Sequence, residues 1–268
     1  VADVLTDLNA DCDEIDGLLA GLQDSQWQMP TPAPGWTIAH QVAHLTATFQ
    51  MATLAAADPD AFRAFLARIS DDFTANVAAA MAPYLALSPA ELLGRWQAQR
   101  ADVTRALEAV PAGEMVPWLV RPLPAPILGM AGIMEAFAHG QDIADALGVQ
   151  REPTDRLAHL VGFAVAVWDF GYQARGLTPP DVQFGFDITA PSGAIWTFGP
   201  PDATQRISGP ALDFCLLVTR RRHRDDLAIT ATGADADQWL NIAQAYRGPA
   251  GEGRSPGQFA AAGARPGH

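Results

Sequence analysis

Apolar residues near the start of the chain fall at Val4, Leu5, Leu8, Cys12, Ile15, Leu18, Leu19 and Leu22. A stripe with this return predicts an amphipathic helix over 3–22. The prolines and glycine of MPTPAPGW then interrupt the pattern, and Thr37 stands as the N-cap of a second helix reaching about Ala57. The stretch 60–86 keeps a helical pattern, with an interruption expected near Pro83. Ser88, Pro89 and Glu91 compose a capping box with proline at the first helical position, so another helix begins there. The proline-rich stretch 111–126 reads as a connection. It leads to a helix from about Ile127 to Leu147, stopped by Gly148, and then to a helix over 154–175.

After the LTPP of 177–180 the period changes from helical to alternating. DVQFGFDITA and AIWTF read as strands joined by a turn at Ser192-Gly193, with TQRISG a short third strand. PALDFCLLVTRRRH reads as a helix, LAITATG as a strand and DADQWLNIAQAY as the last helix. The expected class is α+β. A helical part over 1–176 is followed by a smaller α+β part over 181–247 and a Gly/Ala/Pro-rich tail, 248–268, expected to be disordered.

The chain has 268 residues, 49% of them apolar, enough for a sizeable core. Apolar runs such as MATLAAA are too short to span a bilayer, and the first residues read as a helix rather than a basic-then-apolar leader. The expectation is a cytoplasmic protein. A net charge of −13 argues against nucleic acid and against an anionic membrane surface; a small-molecule substrate and a monomer or homodimer are expected. All 17 basic residues are arginine. Without lysine, Schiff-base chemistry and a Gly-Lys-Ser/Thr phosphate loop are both excluded. Cys12 and Cys215 sit in amphipathic helical patterns and are expected to pack as small apolar side chains.

Two segments carry candidate chemistry. In GWTIAHQVAHL, His40 and His44 are one helical turn apart; in MEAFAHGQDIADALG, Glu135, His139 and Asp142 project from one helix face. A carboxylate and an imidazole at this spacing can hold a metal ion, and Asp142 is placed to accept a hydrogen bond from the far ring nitrogen of His139. With a histidine from the second helix, three ligands would leave a coordination position open, as in catalytic sites. Taken alone, a Glu-xxx-His pair also suits a solvated helix face.

PAPGWTIAHQVAHL followed by EAFAHGQD resembles the DinB-like metal-binding superfamily, within it the actinobacterial branch that includes mycothiol-dependent maleylpyruvate isomerase. The resemblance implies a four-helix-type bundle with a small C-terminal α+β domain. It implies His44, Glu135 and His139 as ligands of a divalent ion, most simply Zn2+. His40 is then a pocket-lining or supporting residue, grouped with Asp142 as a candidate catalytic side chain. The wider superfamily's habit keeps open a three-histidine set of His40, His44 and His139. The related isomerase uses an arginine of its C-terminal helix. Counting from Asp213, Arg221 matches best and Arg222 is its neighbour, both suited to holding a carboxylate of substrate or cofactor. The rival reading of 220–224 is a solvated helix end whose cations complement the dipole.

The function implied is that of a metal-dependent enzyme using mycothiol for isomerisation or S-transfer on a small electrophile. No side-chain cysteine is placed to be the nucleophile, which suits an external thiol. Two alternatives stand beside it: a thiol-independent hydrolase, lyase or cyclase, and a non-catalytic metal-binding module.

Overall fold

The computed structural model describes residues 2–119 and 121–259. They form two compact units divided between Glu152 and Pro153. The first contains α1 (Ala2–Leu19), α2 (Ile38–Ala57), α3 (Pro59–Leu66), α4 (Phe73–Leu85), α5 (Pro89–Glu108), a short hairpin of β1 (Met115–Val116) and β2 (Leu123–Pro124), and α6 (Ala125–Leu147). The second contains α7 (Leu157–Ala166), α8 (Phe170–Gln173), β3 (Phe184–Thr189), β4 (Ile195–Phe198), β5 (Gln205–Pro210), α9 (Ala211–Val218), β6 (Thr230–Thr232) and α10 (Ala234–Ile242). The class is α+β.

In the first unit α1, α2, α5 and α6 pack as a four-helix bundle. The expected α1 stripe belongs to its core: Leu5, Leu8, Cys12, Ile15 and Leu19 are buried, as are Val42, Phe49, Trp96 and Ile133 of the other bundle helices. The helix ends at Leu19, before the positive-φ Gly21, so Leu18 and Leu22 are only half-buried. Glycine lets α1 and α6 approach closely. A Cβ on Gly129 would lie 2.8 Å from Val4 Cγ1, and one on Gly132 would lie 3.3 Å from Leu8 Cδ1. The capping box of α5 forms as expected, with the Ser88 N–H donating to Glu91 Oε2 at 2.9 Å. The stretch 60–86 breaks at 67–72 rather than at Pro83. Asp58 and Asp72 each cap a helix start, accepting from Ala61 and Ala75, while Pro83 sits near the end of α4.

The second unit carries a mixed sheet in the order β4-β3-β5-β6. β3 and β4 form the expected hairpin around Gly193, β3 and β5 run parallel, and β5 and β6 are antiparallel. Phe184, Phe186, Phe214 and Trp239 form its aromatic core. The helix expected over 154–175 is two pieces, α7 and α8, broken at 167–169; the freed Trp168 carbonyl accepts the Trp239 indole N–H at 2.8 Å. α7 packs on α9, so this helix belongs to the second unit, whereas the sequence pattern placed it with the helices before the break at 177–181.

Gly248–Phe259, expected to be disordered, carries no helix or strand but is held by hydrogen bonds: the Gly257 N–H donates to both carboxylate oxygens of Asp226 at 2.8 and 3.0 Å. Residues 260–268 of that expected tail lie outside the described residues. Among the described residues no single helix is long and apolar enough to cross a membrane.

Candidate metal centre

The site begins with the loop ahead of α2. Gly35 takes φ 77°, a left-handed turn that a side chain disfavours, and the chain folds back so that the Thr31 N–H donates to the Trp36 carbonyl at 2.8 Å. Thr37 is the N-cap of α2 as expected, and the third residue of its capping box is His40. The Thr37 N–H donates to His40 Nδ1 at 3.3 Å, and the Thr37 hydroxyl lies 2.8 Å from the same nitrogen. One ring nitrogen of His40 is therefore engaged in closing the helix end.

Further along α2, Gln41, His44 and Thr48 share the stripe facing α6, where Glu135, His139 and Asp142 lie one turn apart. Glu135 Oε2 is 3.2 Å from His139 Nε2 and 3.6 Å from His44 Nε2, and the two imidazole rings are 4.5 Å apart. His44, Glu135 and His139 each bring a donor atom within 4.8 Å of the others; His40 is not in this group. Zinc bonds of about 2.0–2.1 Å at tetrahedral angles set donors ~3.3 Å apart, so both measured nitrogen–oxygen separations suit one ion. The residues fit a divalent metal. Side-chain exposures of 19% for His44, 20% for Glu135 and 11% for His139 keep the group partly accessible to solvent. Burial works to raise the Glu135 carboxyl, but hydrogen bonds and charge from His139 and His44 outweigh it and hold it well below the usual carboxylate range. The carboxylate is thus ready as an anionic ligand.

The Trp36 ring stacks on His139 with centroids 5.9 Å apart and planes at 17°, and lies 5.3 Å from His44. Trp36, the residue ahead of the N-cap, thus walls one side of the centre. Asp142 is buried close by; His139 Nδ1 lies 2.5 Å from Gln41 Oε1, and Gln41 Nε2 donates to Asp142 Oδ2 at 3.4 Å. Gln41 was missed because a glutamine has no fixed role in metal sites. Its spacing of three residues from His44 was the one available signal.

Arg221 and Arg222 belong to the second unit. They do not lie on the helix expected to carry them, because α9 ends at Val218 and Arg220 turns the chain with φ 58°. The Arg221 N–H donates to the Leu216 carbonyl at 2.8 Å, the closure usual where a helix ends in a left-handed residue. Arg221 Nη1 donates to the Thr219 carbonyl at 2.7 Å, and the Arg222 guanidinium lies 3.6 Å from the Phe259 ring centroid. Arg224 pairs with Asp237 at 2.6 Å.

Residues 8–144 match the family described as mycothiol maleylpyruvate isomerase N-terminal domain. A second match, to the family described as wyosine base formation, is confined to residues 186–232. Two uncharacterized proteins of Mycobacterium tuberculosis, from strains CDC 1551 / Oshkosh and ATCC 25618 / H37Rv, are each 43% identical over 250 residues, covering 93% of this chain and 97% of theirs. Among solved structures, the mycothiol-dependent maleylpyruvate isomerase aligns with TM-score 0.58 at 14% identity, over 86% of this chain and 92% of its own; a histidine-to-alanine mutant of that enzyme gives 0.57 at 15%, with the same coverage. Likeness at that identity speaks for the fold. The match over half of the chain does more: this chain belongs to the family of the mycothiol maleylpyruvate isomerase N-terminal domain.

Proposed function

We propose that the protein is a metal-dependent enzyme that uses a low-molecular-weight thiol, mycothiol, to isomerise a small unsaturated substrate or to transfer sulfur to it. The observation that carries this reading is the convergence of His44, Glu135 and His139 from two helices in a chain of this family. A divalent ion there, zinc on the strength of the nitrogen and oxygen donors, would lower the pKa of a thiol that reaches it, so that a nucleophile forms near neutral pH.

The chain's own residues define the rest. His44 and His139 offer neutral nitrogen donors, and Glu135 offsets part of the positive charge. Trp36 gives an aromatic wall that keeps water from one side of the centre. Arg221, with Arg222 beside it, is assigned to an anionic group of substrate or thiol, for which a planar guanidinium supplies paired donors. His40 is assigned a supporting role through the helix cap, and Asp142 acts on His139 from behind. Cys12 and Cys215 are both fully buried, and burial pushes the Cys12 thiol far up, so that side chain supplies no thiolate.

The test is elemental analysis of purified protein followed by turnover of maleylpyruvate with and without mycothiol. Bound zinc near one equivalent, and isomerisation that needs both zinc and thiol, are expected. Zinc-dependent turnover of other small molecules that ignores thiol would move the reading to direct metal chemistry; absence of metal from protein purified and reloaded with zinc would end it.

A further inference from the structure

The hydrogen bonds behind His139 run in one direction. The Thr31 hydroxyl donates its single hydrogen to the Trp36 carbonyl at 2.9 Å, so toward Gln41 it can only accept. Gln41 Nε2 donates to that Thr31 oxygen at 2.8 Å and to Asp142 Oδ2 at 3.4 Å, and a carboxylate is likewise an acceptor only. Both neighbours demand the amide nitrogen. The amide oxygen is therefore left facing His139 Nδ1, 2.5 Å away. An oxygen with no hydrogen requires one on the imidazole, so Nδ1 carries a proton, and Nε2 is the nitrogen turned toward Glu135 and His44.

We infer that Asp142, Thr31 and Gln41 form a relay fixing His139 in its Nδ1–H form, which makes Gln41 a positioning residue of the metal centre. The relay is buried along its length: Gln41 and Asp142 are each 0% exposed and Thr31 9%. In such surroundings a reversed amide would set its oxygen against a carboxylate and against the Thr31 oxygen, losing both buried hydrogen bonds that Gln41 Nε2 makes. The same Thr31 hydroxyl that orients Gln41 also holds the backbone of Trp36, whose ring stacks on His139. The edge and the face of the imidazole are thus set by one network, before any ion arrives. This role rests on the metal-centre reading above only in its purpose; the proton position is a property of the metal-free chain.

Two measurements separate the two. In metal-free protein labelled with 15N-histidine, with His139 assigned by its loss in His139→Gln, the Nδ1 resonance should lie in the protonated range. An unprotonated Nδ1 overturns the relay whatever the metal does. Zinc titration then compares wild type with Asp142→Asn, which keeps shape but lets the Gln41 amide turn, and with Gln41→Met, which removes it. Each should weaken zinc binding by ~10–100-fold, the range found for residues that orient metal-bound histidines. Tight zinc binding left within twofold in both variants would defeat the positioning role alone. A wild type that takes up no zinc while showing Nδ1–H would instead sink the metal centre and leave the relay standing.

Discussion

His40 and His44 are one turn apart on one helix, yet the backbone gives them different work. At the third position of α2 the nearest group in need of a partner is the Thr37 N–H, and His40 Nδ1 meets it. One turn later the backbone is satisfied, and the His44 ring turns to α6 and Glu135. His40→Ala should therefore keep its zinc and lose stability by about 1 kcal/mol, the usual cost of a lost cap contact. His44→Ala should lose the metal. Elemental analysis with urea unfolding checks both, and loss of zinc from His40→Ala would restore the three-histidine arrangement.

Glu135 gives a second test at this scale. Its carboxyl is held below the range of an unfolded chain by two imidazoles, so in metal-free protein the folded state binds fewer protons than the unfolded one. That contribution is fully present above the unfolded value of about 4.3 and is lost as pH falls through the lower folded value. Chelator-treated wild type should thus lose more stability than Glu135→Gln between about pH 5 and pH 3. Parallel losses in the two proteins would show that the histidines do not stabilise the carboxylate.

At the scale of elements, what could be read from the sequence is what local chemistry decides. The α1 stripe, the Ser88–Glu91 box and the Gly148 stop of α6 each depend on residues within a turn of one another, and each forms. The elements that were misread depend on distant partners. The break between α7 and α8 leaves the Trp168 carbonyl for Trp239, far along the chain, and no period within 154–175 reports that need. The hairpin of Met115–Val116 with Leu123–Pro124 lies inside a proline-rich stretch and has no alternation to reveal it. The candidate site divides in the same way. Glu135 and His139 are legible because their spacing is local, and the choice of His44 over His40 as their partner came from family likeness. Gln41 was not legible, because its role depends on α6 facing α2 and on a threonine in the preceding loop.

The whole molecule joins a helical unit holding the proposed metal ligands to an α+β unit holding the arginine turn, and the proposed chemistry asks something of each. In a chain of net charge −13, the run Arg220, Arg221, Arg222, His223, Arg224 stands apart as a concentration of positive charge. A dipole-complementing helix end would need only charge, and lysine would serve as well as arginine. A residue gripping a carboxylate needs the planar fork. Arg221→Lys should therefore lower kcat/KM while zinc content and unfolding midpoint stay at wild-type values. Arg221→Ala should be worse, because the substrate's anionic group loses its partner at a cost of ~2–5 kcal/mol, or some thirty-fold and more in kcat/KM. Arg222→Lys run beside them distinguishes the neighbours: the Arg222 guanidinium lies over Phe259, and losing that stacking should register first as a lower unfolding midpoint. Unchanged turnover in both Arg221 variants would return the cluster to a solvated helix end and leave the thiol reading on the metal residues and the family alone.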